Sequence, residues 1–218
     1  MIDTIIFDAE GVVVDSEGMW DKGQEEFLRR RGLDYDRDAV KPLLTGRSVI
    51  EGVRILQEMY GFAGDPGELA RERTAIMKDL FKDGLSFICG FENFYEAIKD
   101  QYKTCIATSM DSQLLAVADQ WLRLSELFQR NVFSIAAVGH IAKPHPDLFL
   151  YAARKLHTPV GNCVVIEDAP HGVEAAKRAG MKCIALTTTY GREKLVQADL
   201  IVDHYAQIDL PEFCGTIL

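Results

Sequence analysis

The sequence has no C-x-x-C pair, no long apolar run and no excess of basic residues. Its five cysteines (Cys89, Cys105, Cys163, Cys183 and Cys214) are scattered and odd in number. That argues against a disulfide framework or a zinc ribbon, and the expectation is buried free thiols in a reducing, cytoplasmic setting. No stretch reaches the roughly 20 apolar residues of a membrane span. No basic segment precedes the first apolar run, so no export leader is expected. Lys and Arg number 24 against 33 Asp and Glu, a formal net charge of −9. Such a balance disfavours binding to nucleic acid or an anionic membrane, while a locally positive site for a small anion stays open. Internal repeats and low-complexity segments are absent as well.

What is there reads as an ordinary globular chain, 48% hydrophobic and 26% charged over 218 residues, enough for one domain or a domain with an insertion. Strand candidates fall at 4–8, 104–108, 132–137, 163–166, 183–186 and 200–202. Several are uninterrupted apolar runs, as expected of strands covered on both faces. Helical patterns separate them at 92–101, 112–122, 146–155 and 172–179. The alternation predicts an α/β fold, a doubly wound parallel-sheet (Rossmann-like) core with right-handed crossovers. One interval breaks it. Residues 17–85 carry only helical patterns, at 20–31, 37–44, 48–60 and 66–82, the last opened by Asp65 as N-cap, Pro66 and Glu68. This block reads as an inserted all-helical cap domain on a core of residues 1–16 and 86–218, joined through 14–18 and 83–90.

Open α/β sheets bind ligands at the carboxyl ends of their strands, where strand order reverses. Asp8 and Glu10 follow the first predicted strand, and in an extended chain they share a side. Two anions so close need a cation or a shared proton. Thr108 and Ser109 follow the second strand, Lys143-Pro144-His145-Pro146-Asp147 the third and Glu167-Asp168 the fourth. Asp8, Glu167 and Asp168 are hard oxygen donors suited to Mg²⁺. Thr108, the Ser109 amide and Lys143 supply donors and positive charge for phosphoryl oxygens. Asp8 is then placed to attack phosphorus, and Glu10 to protonate the leaving oxygen and later deprotonate water.

On these residues the chain resembles the haloacid dehalogenase superfamily of phosphatases, in the branch that contains phosphoglycolate phosphatase and β-phosphoglucomutase. The motif D-x-D-G-[TV] corresponds to Asp8-Ala9-Glu10-Gly11-Val12, K-P-x-P-D to Lys143–Asp147, and E-D-[SA]-x-x-G to Glu167-Asp168-Ala169-Pro170-His171-Gly172. Thr108 matches the family's hydroxyl after the second strand, and the resemblance covers essentially the whole chain. It implies a Mg²⁺-dependent phosphatase acting on a small phosphorylated metabolite through an aspartyl-phosphate, and a monomer. Asp8 is then nucleophile and metal ligand, and Glu10 is acid/base with its carbonyl on the metal. Thr108 and Lys143 hold the phosphoryl group, Asp168 is a ligand, and Glu167 is a ligand or a partner behind the ligands. The cap would close over the substrate.

The second acid of the first motif is the departure: Glu10 stands where the family has aspartate. One added methylene shifts the carboxyl by about an ångström, a displacement worth on the order of 10²-fold in rate. Two other functions stand beside the phosphatase. One is a sugar-phosphate mutase, against which Trp20 counts, because mutases of this branch carry a cap histidine near that position. The other is a low-activity phosphate-binding regulatory protein. Trp20 and Arg47 are candidates to line the substrate pocket, with core packing and surface exposure as their respective alternatives. Asp111 reads as a helix cap near the site, and the histidines show no metal-ligand spacing.

Overall fold

Residues Thr4–Phe7 form β1, a four-residue strand with every side chain buried. The computed structural model describes residues 2–44, 47–82 and 84–215. Thr45, Gly46 and Asp83, which belong to the predicted turn and connection of the insertion, lie outside the described residues. After β1 the chain makes a short strand, β2 (Val14–Asp15), and then four helices: α1 (Glu17–Arg29), α2 (Arg37–Leu44), α3 (Val49–Tyr60) and α4 (Pro66–Lys82). A second short strand, β3 (Ser86–Phe87), pairs antiparallel with β2. This pair ties the two connections of the helical block together, and two-residue strands carry no periodicity by which a sequence reveals them.

The remaining elements are α5 (Phe91–Ile98), β4 (Lys103–Thr108), α6 (Ser112–Leu122), α7 (Leu124–Leu127), β5 (Val132–Ser134), α8 (Asp147–Lys155), β6 (Cys163–Glu167), α9 (Pro170–Arg178), β7 (Lys182–Leu186), β8 (Leu200–Val202) and α10 (Leu210–Cys214). Six strands form one sheet in the order β5-β4-β1-β6-β7-β8, every neighbouring pair parallel. The doubly wound α/β prediction therefore holds. One strand is shorter than its apolar run. The third candidate ends at Ser134, opposite Thr108, the last residue of β4, and without a partner beyond it Ile135–Val138 coils into a 3₁₀ turn.

Alternation along β1 divides the core. Ile5 and Phe7 join one apolar cluster with α5, α6 and α7, while Ile6 joins the other with α8 and α9, as period-two side chains on a sheet covered from both sides must. The helical block has its own centre of Phe27, Leu28, Val40, Val53, Leu56, Leu69 and Ile76. It is anchored to the sheet domain by Met77 and Phe81 of α4, which belong to the first cluster. Asp65 caps α4 through the Glu68 N–H (2.9 Å). A full capping box, Ser48 with Glu51, opens α3. Among the described residues no helix is long and apolar enough to cross a membrane.

Candidate active site

Strand order reverses at β1, which lies between β4 and β6, so a crevice opens at the carboxyl ends of these three strands. Asp8 leaves β1 with its N–H still bonded to the Ile166 carbonyl (3.0 Å), and the sheet thereby fixes its side chain. Thr108 ends β4, Glu167 ends β6, and Lys143 enters from the segment before α8. All four are buried. Gly11, at φ +71°, lets the turn after β1 approach the loop after β6: a Cβ there would stand 1.9 Å from Asp168 Oδ2. Gly172 plays the same part under Glu167, where a Cβ would stand 1.8 Å from Oε1.

Lys143 is the charge at the centre. Its Nζ donates to Asp8 Oδ1 and to Glu167 Oε1 at 2.6 Å, and it lies 4.7 Å from the centroid of the Phe149 ring. Burial opposes the ammonium, but Asp8 and Glu167 outweigh burial and its pKa lies above the ordinary lysine value. Burial alone would raise Glu167, yet Lys143, His171 and the Ala169 N–H outweigh it and hold the carboxyl below its usual range. Asp8 goes the other way. Burial lifts it to about 7 in spite of Lys143, with Glu167 and Glu10 adding to the rise. Asp168 is pushed well up by burial, Glu167 and Asp8. Lys143 thus favours the charged form of Glu167, while burial and neighbouring acids push Asp8 and Asp168 the other way, a rise that added positive charge would offset.

Glu10 lies beside them and is held by the start of α1. Ser16 Oγ donates to its Oε1 at 3.0 Å, and Trp20 Nε1 donates to the same oxygen. Burial raises its pKa, and the bonds from Trp20 and Ser16 pull against that rise. Across the crevice the Thr108 hydroxyl accepts the Met110 N–H at 3.0 Å, which leaves its own hydrogen to donate. Among the described residues the Ser109 hydroxyl is buried without a hydrogen-bond partner, an orphan polar group at the place where phosphoryl oxygens were expected.

These groups face a cavity of about 960 Å³ between the sheet edge and the helical block. It brings together Asp8, Glu10, Thr108, Ser109, Lys143, Glu167, Asp168, Trp20 and Arg47, every residue singled out for the site. Arg47 is exposed on the rim. Asp111 is outside the lining and caps α6, accepting the Gln113 N–H at 2.8 Å. Sequence reasoning missed Ser16 as a partner of Glu10, and it missed Arg73, a buried cation of α4 that also lines the cavity. Arg73 had a visible signal: it falls on the apolar stripe Leu69, Ile76, Met77 and Leu80, where a solvated arginine does not belong.

The donor set decides how a metal would be held. Both Glu167 oxygens are engaged, Oε1 by Lys143 and Oε2 by the N–H groups of Asp168 and Ala169 at 2.9 and 3.0 Å. Of the two places expected of Glu167, ligand or partner behind the ligands, these bonds suit the second. Among the described residues no group of three or more His, Cys, Asp or Glu side chains forms a metal cage. A magnesium site needs none, since it takes one or two carboxylates and fills its octahedron with carbonyls, waters and phosphate oxygens. Asp8 and Asp168 are hard donors brought together by Gly11, and both are short of positive charge. This set fits Mg²⁺ and does not fit a soft transition metal.

A family profile described as haloacid dehalogenase-like hydrolase matches residues 2–180. The chain is 30% identical to the fructose-1-phosphate phosphatase of Escherichia coli, over 83% of this chain and 94% of that protein. It is 28% identical to the protein CbbY of Cereibacter sphaeroides, over 95% of this chain and 94% of that one. A match of 32% to the chloroplastic SUPPRESSOR OF QUENCHING 1 of Arabidopsis thaliana covers 90% of this chain but only 19% of that much longer protein. Among solved structures, a family IA hydrolase from Entamoeba histolytica superposes with a TM-score of 0.85 at 24% identity, over 98% of both chains. These structural likenesses carry the fold alone.

Proposed function

Since the chain belongs to the haloacid dehalogenase-like hydrolase family, we propose that it is a Mg²⁺-dependent phosphomonoester hydrolase acting on a small phosphorylated metabolite. Relatives named as phosphatases of fructose 1-phosphate, validoxylamine A 7′-phosphate and pseudouridine 5′-phosphate support the class of reaction. The observation that carries the reading is the placement of Asp8: a buried carboxylate at the switch point, bonded to Lys143 and facing the unpartnered Ser109 hydroxyl across one cavity.

Lys143 holds Oδ1 of Asp8 and leaves the other oxygen to attack phosphorus. The bond from phosphorus to the leaving oxygen breaks as the bond to Asp8 forms, and Glu10 gives its proton to the leaving oxygen. Glu10, now a carboxylate, takes a proton from water. That water attacks phosphorus, releasing phosphate and restoring Asp8. Thr108, Ser109 and Lys143 hold the phosphoryl oxygens, where transition-state charge collects. Asp8, Asp168 and the Glu10 carbonyl are the groups that would hold the metal. When bound, Mg²⁺ supplies the positive charge that keeps Asp8 ionised and lets a phosphate dianion approach it. The helical block, residues 17–85, is the cap that walls off the cavity from water. The five cysteines are free thiols. Cys105, Cys163 and Cys183 are buried, but Cys214 is half-buried and Cys89 exposed, because the last two lie outside the parallel strands. Free thiols suit the reducing, cytoplasmic location proposed here.

A screen of phosphate esters with Mg²⁺ tests the reading. The wild type is expected to release phosphate from at least one small ester, and Asp8→Asn to lose this by about 10³-fold or more. Glu10→Asp should be slower by about 10²-fold, because the shorter acid no longer reaches Ser16 and Trp20. A folded wild type that releases phosphate from no ester defeats the proposal. Isomer formed without free phosphate is the signature of a mutase instead.

A further inference from the structure

The extra methylene of Glu10 has a destination. Two donors converge on its Oε1, the Ser16 hydroxyl at 3.0 Å and the Trp20 indole N–H, and both sit where the chain enters α1. The second oxygen, Oε2, has no side-chain or backbone donor among the bonds found in the described residues. A carboxylic acid that accepts both bonds on one oxygen has the other free to carry and pass on a proton. An aspartate at this position would end about one methylene short of the indole.

Trp20 is itself fixed on three sides. Its ring meets Phe81 edge to face at 6.5 Å, and the Arg73 guanidinium carbon stands 5.6 Å from its centroid. Arg73 is held by Gln24 Oε1 at 3.0 Å and the Val49 carbonyl at 3.4 Å. It finds room because Gly52 offers no side chain, where a Cβ would stand 2.5 Å from Nη1. No carboxylate ion-pairs with Arg73 among the described residues; the electron-rich indole face adds to the two oxygens that compensate its charge. A cation over the ring withdraws density from it and makes the N–H a better donor. The contacts link up: Gln24 of α1 and Val49 of α3 hold Arg73 of α4, Arg73 and Phe81 of α4 hold Trp20, and Trp20 holds Glu10.

We propose that Trp20 is a positioning residue for Glu10, so that proton transfer at the active site depends on an indole carried by the first helix of the cap. This rests on the phosphomonoesterase reading and adds to it. Glu10 is then no impaired aspartate but half of a matched pair, and the acid is in register only while α1 is seated against the sheet domain.

The test separates a positioning role from a wall of the pocket by varying how much the leaving group needs a proton. Phenyl phosphate and 4-nitrophenyl phosphate are similar in shape, but phenol has a pKa of about 10, like tyrosine, and nitrophenol is far more acidic. With the full chain and Mg²⁺, Trp20→Phe is expected to lower kcat/KM for phenyl phosphate by about 10- to 10²-fold. For 4-nitrophenyl phosphate, which departs without help, the loss should stay below about threefold. Ser16→Ala should show the same bias more weakly. Equal losses on both esters with an active wild type overturn the positioning role and leave the phosphatase reading standing. A wild type inert towards these and all other esters of the screen overturns both. A second readout needs no turnover. Of the two indole N–H resonances, that of Trp20 should lie downfield in the metal-free protein and move upfield in Glu10→Gln. An indole spectrum unchanged by that substitution also overturns the proposal.

Discussion

At the scale of single residues, the site turns on one ammonium between two carboxylates. Lys143 serves Asp8 and Glu167 at once, and all three are buried. Removing one member of a buried ionic group costs more than the group contributes, because the remaining charges stay behind without compensation. Lys143→Met is therefore expected to lose activity and to destabilise the metal-free protein by about 3–5 kcal/mol. Adding Glu167→Gln should return part of that stability, since the two residues are coupled. Urea unfolding of the wild type and of the single and double variants measures both effects. Equal midpoints for all three would show that the cluster carries no such energy. The convergence of Asp8, Thr108, Lys143 and Asp168 on one cavity was legible in the sequence, because each ends or follows a strand and strand ends meet at the switch point. The bond from Trp20 to Glu10 was not. It depends on the rotation of α1 about its axis, which packing against α4 decides and no local pattern encodes.

At the scale of elements, the sheet is sewn to its helices by a few polar contacts. Lys177 on α9 grips both oxygens of Asp199 at 2.7 and 2.8 Å, and Asp199 accepts the Cys183 N–H of β7 at 2.7 Å. Burial pushes the Asp199 pKa up, but Lys177 and the Cys183 N–H outweigh it and the net shift is downward. A carboxyl with a lowered pKa in the folded state adds stability above its unfolded pKa of about 3.9, and that contribution is lost as pH falls through the folded value. Asp199→Asn should therefore cost under about 1 kcal/mol at pH 7, since the pair is about a third exposed. Its urea midpoint should converge on the wild type as pH falls below the ordinary carboxylate range. A gap that persists or widens at low pH would contradict the assignment. Elements with full periodicity were legible, α4 to the residue. Those whose limits are set by neighbours were not: β5 stops where β4 stops, and β2 and β3 exist only because they pair with each other.

At the scale of the whole molecule, the chain carries a net charge of −9, and its cavity is mixed in charge. Lys41, Arg47, Arg73 and Lys143 line it together with the acids Asp8, Glu10, Glu17, Asp21, Glu51, Glu167 and Asp168, so the proposed phosphate ester needs a bound cation as well as these side chains. The helical block lines that cavity and reaches Glu10 through Trp20. The helical block and the sheet domain are thus joined by a hydrogen bond as well as by packing. The account stands or falls on Asp8 taking the phosphoryl group. The direct measurement is to mix the Mg²⁺-loaded chain with a radiolabelled phosphate ester that it hydrolyses, quench in acid, and map the label. The expected result is label on the peptide that carries Asp8, absent in Asp8→Asn. Phosphate released at the full rate with no label on the protein, or by Asp8→Asn, would contradict it.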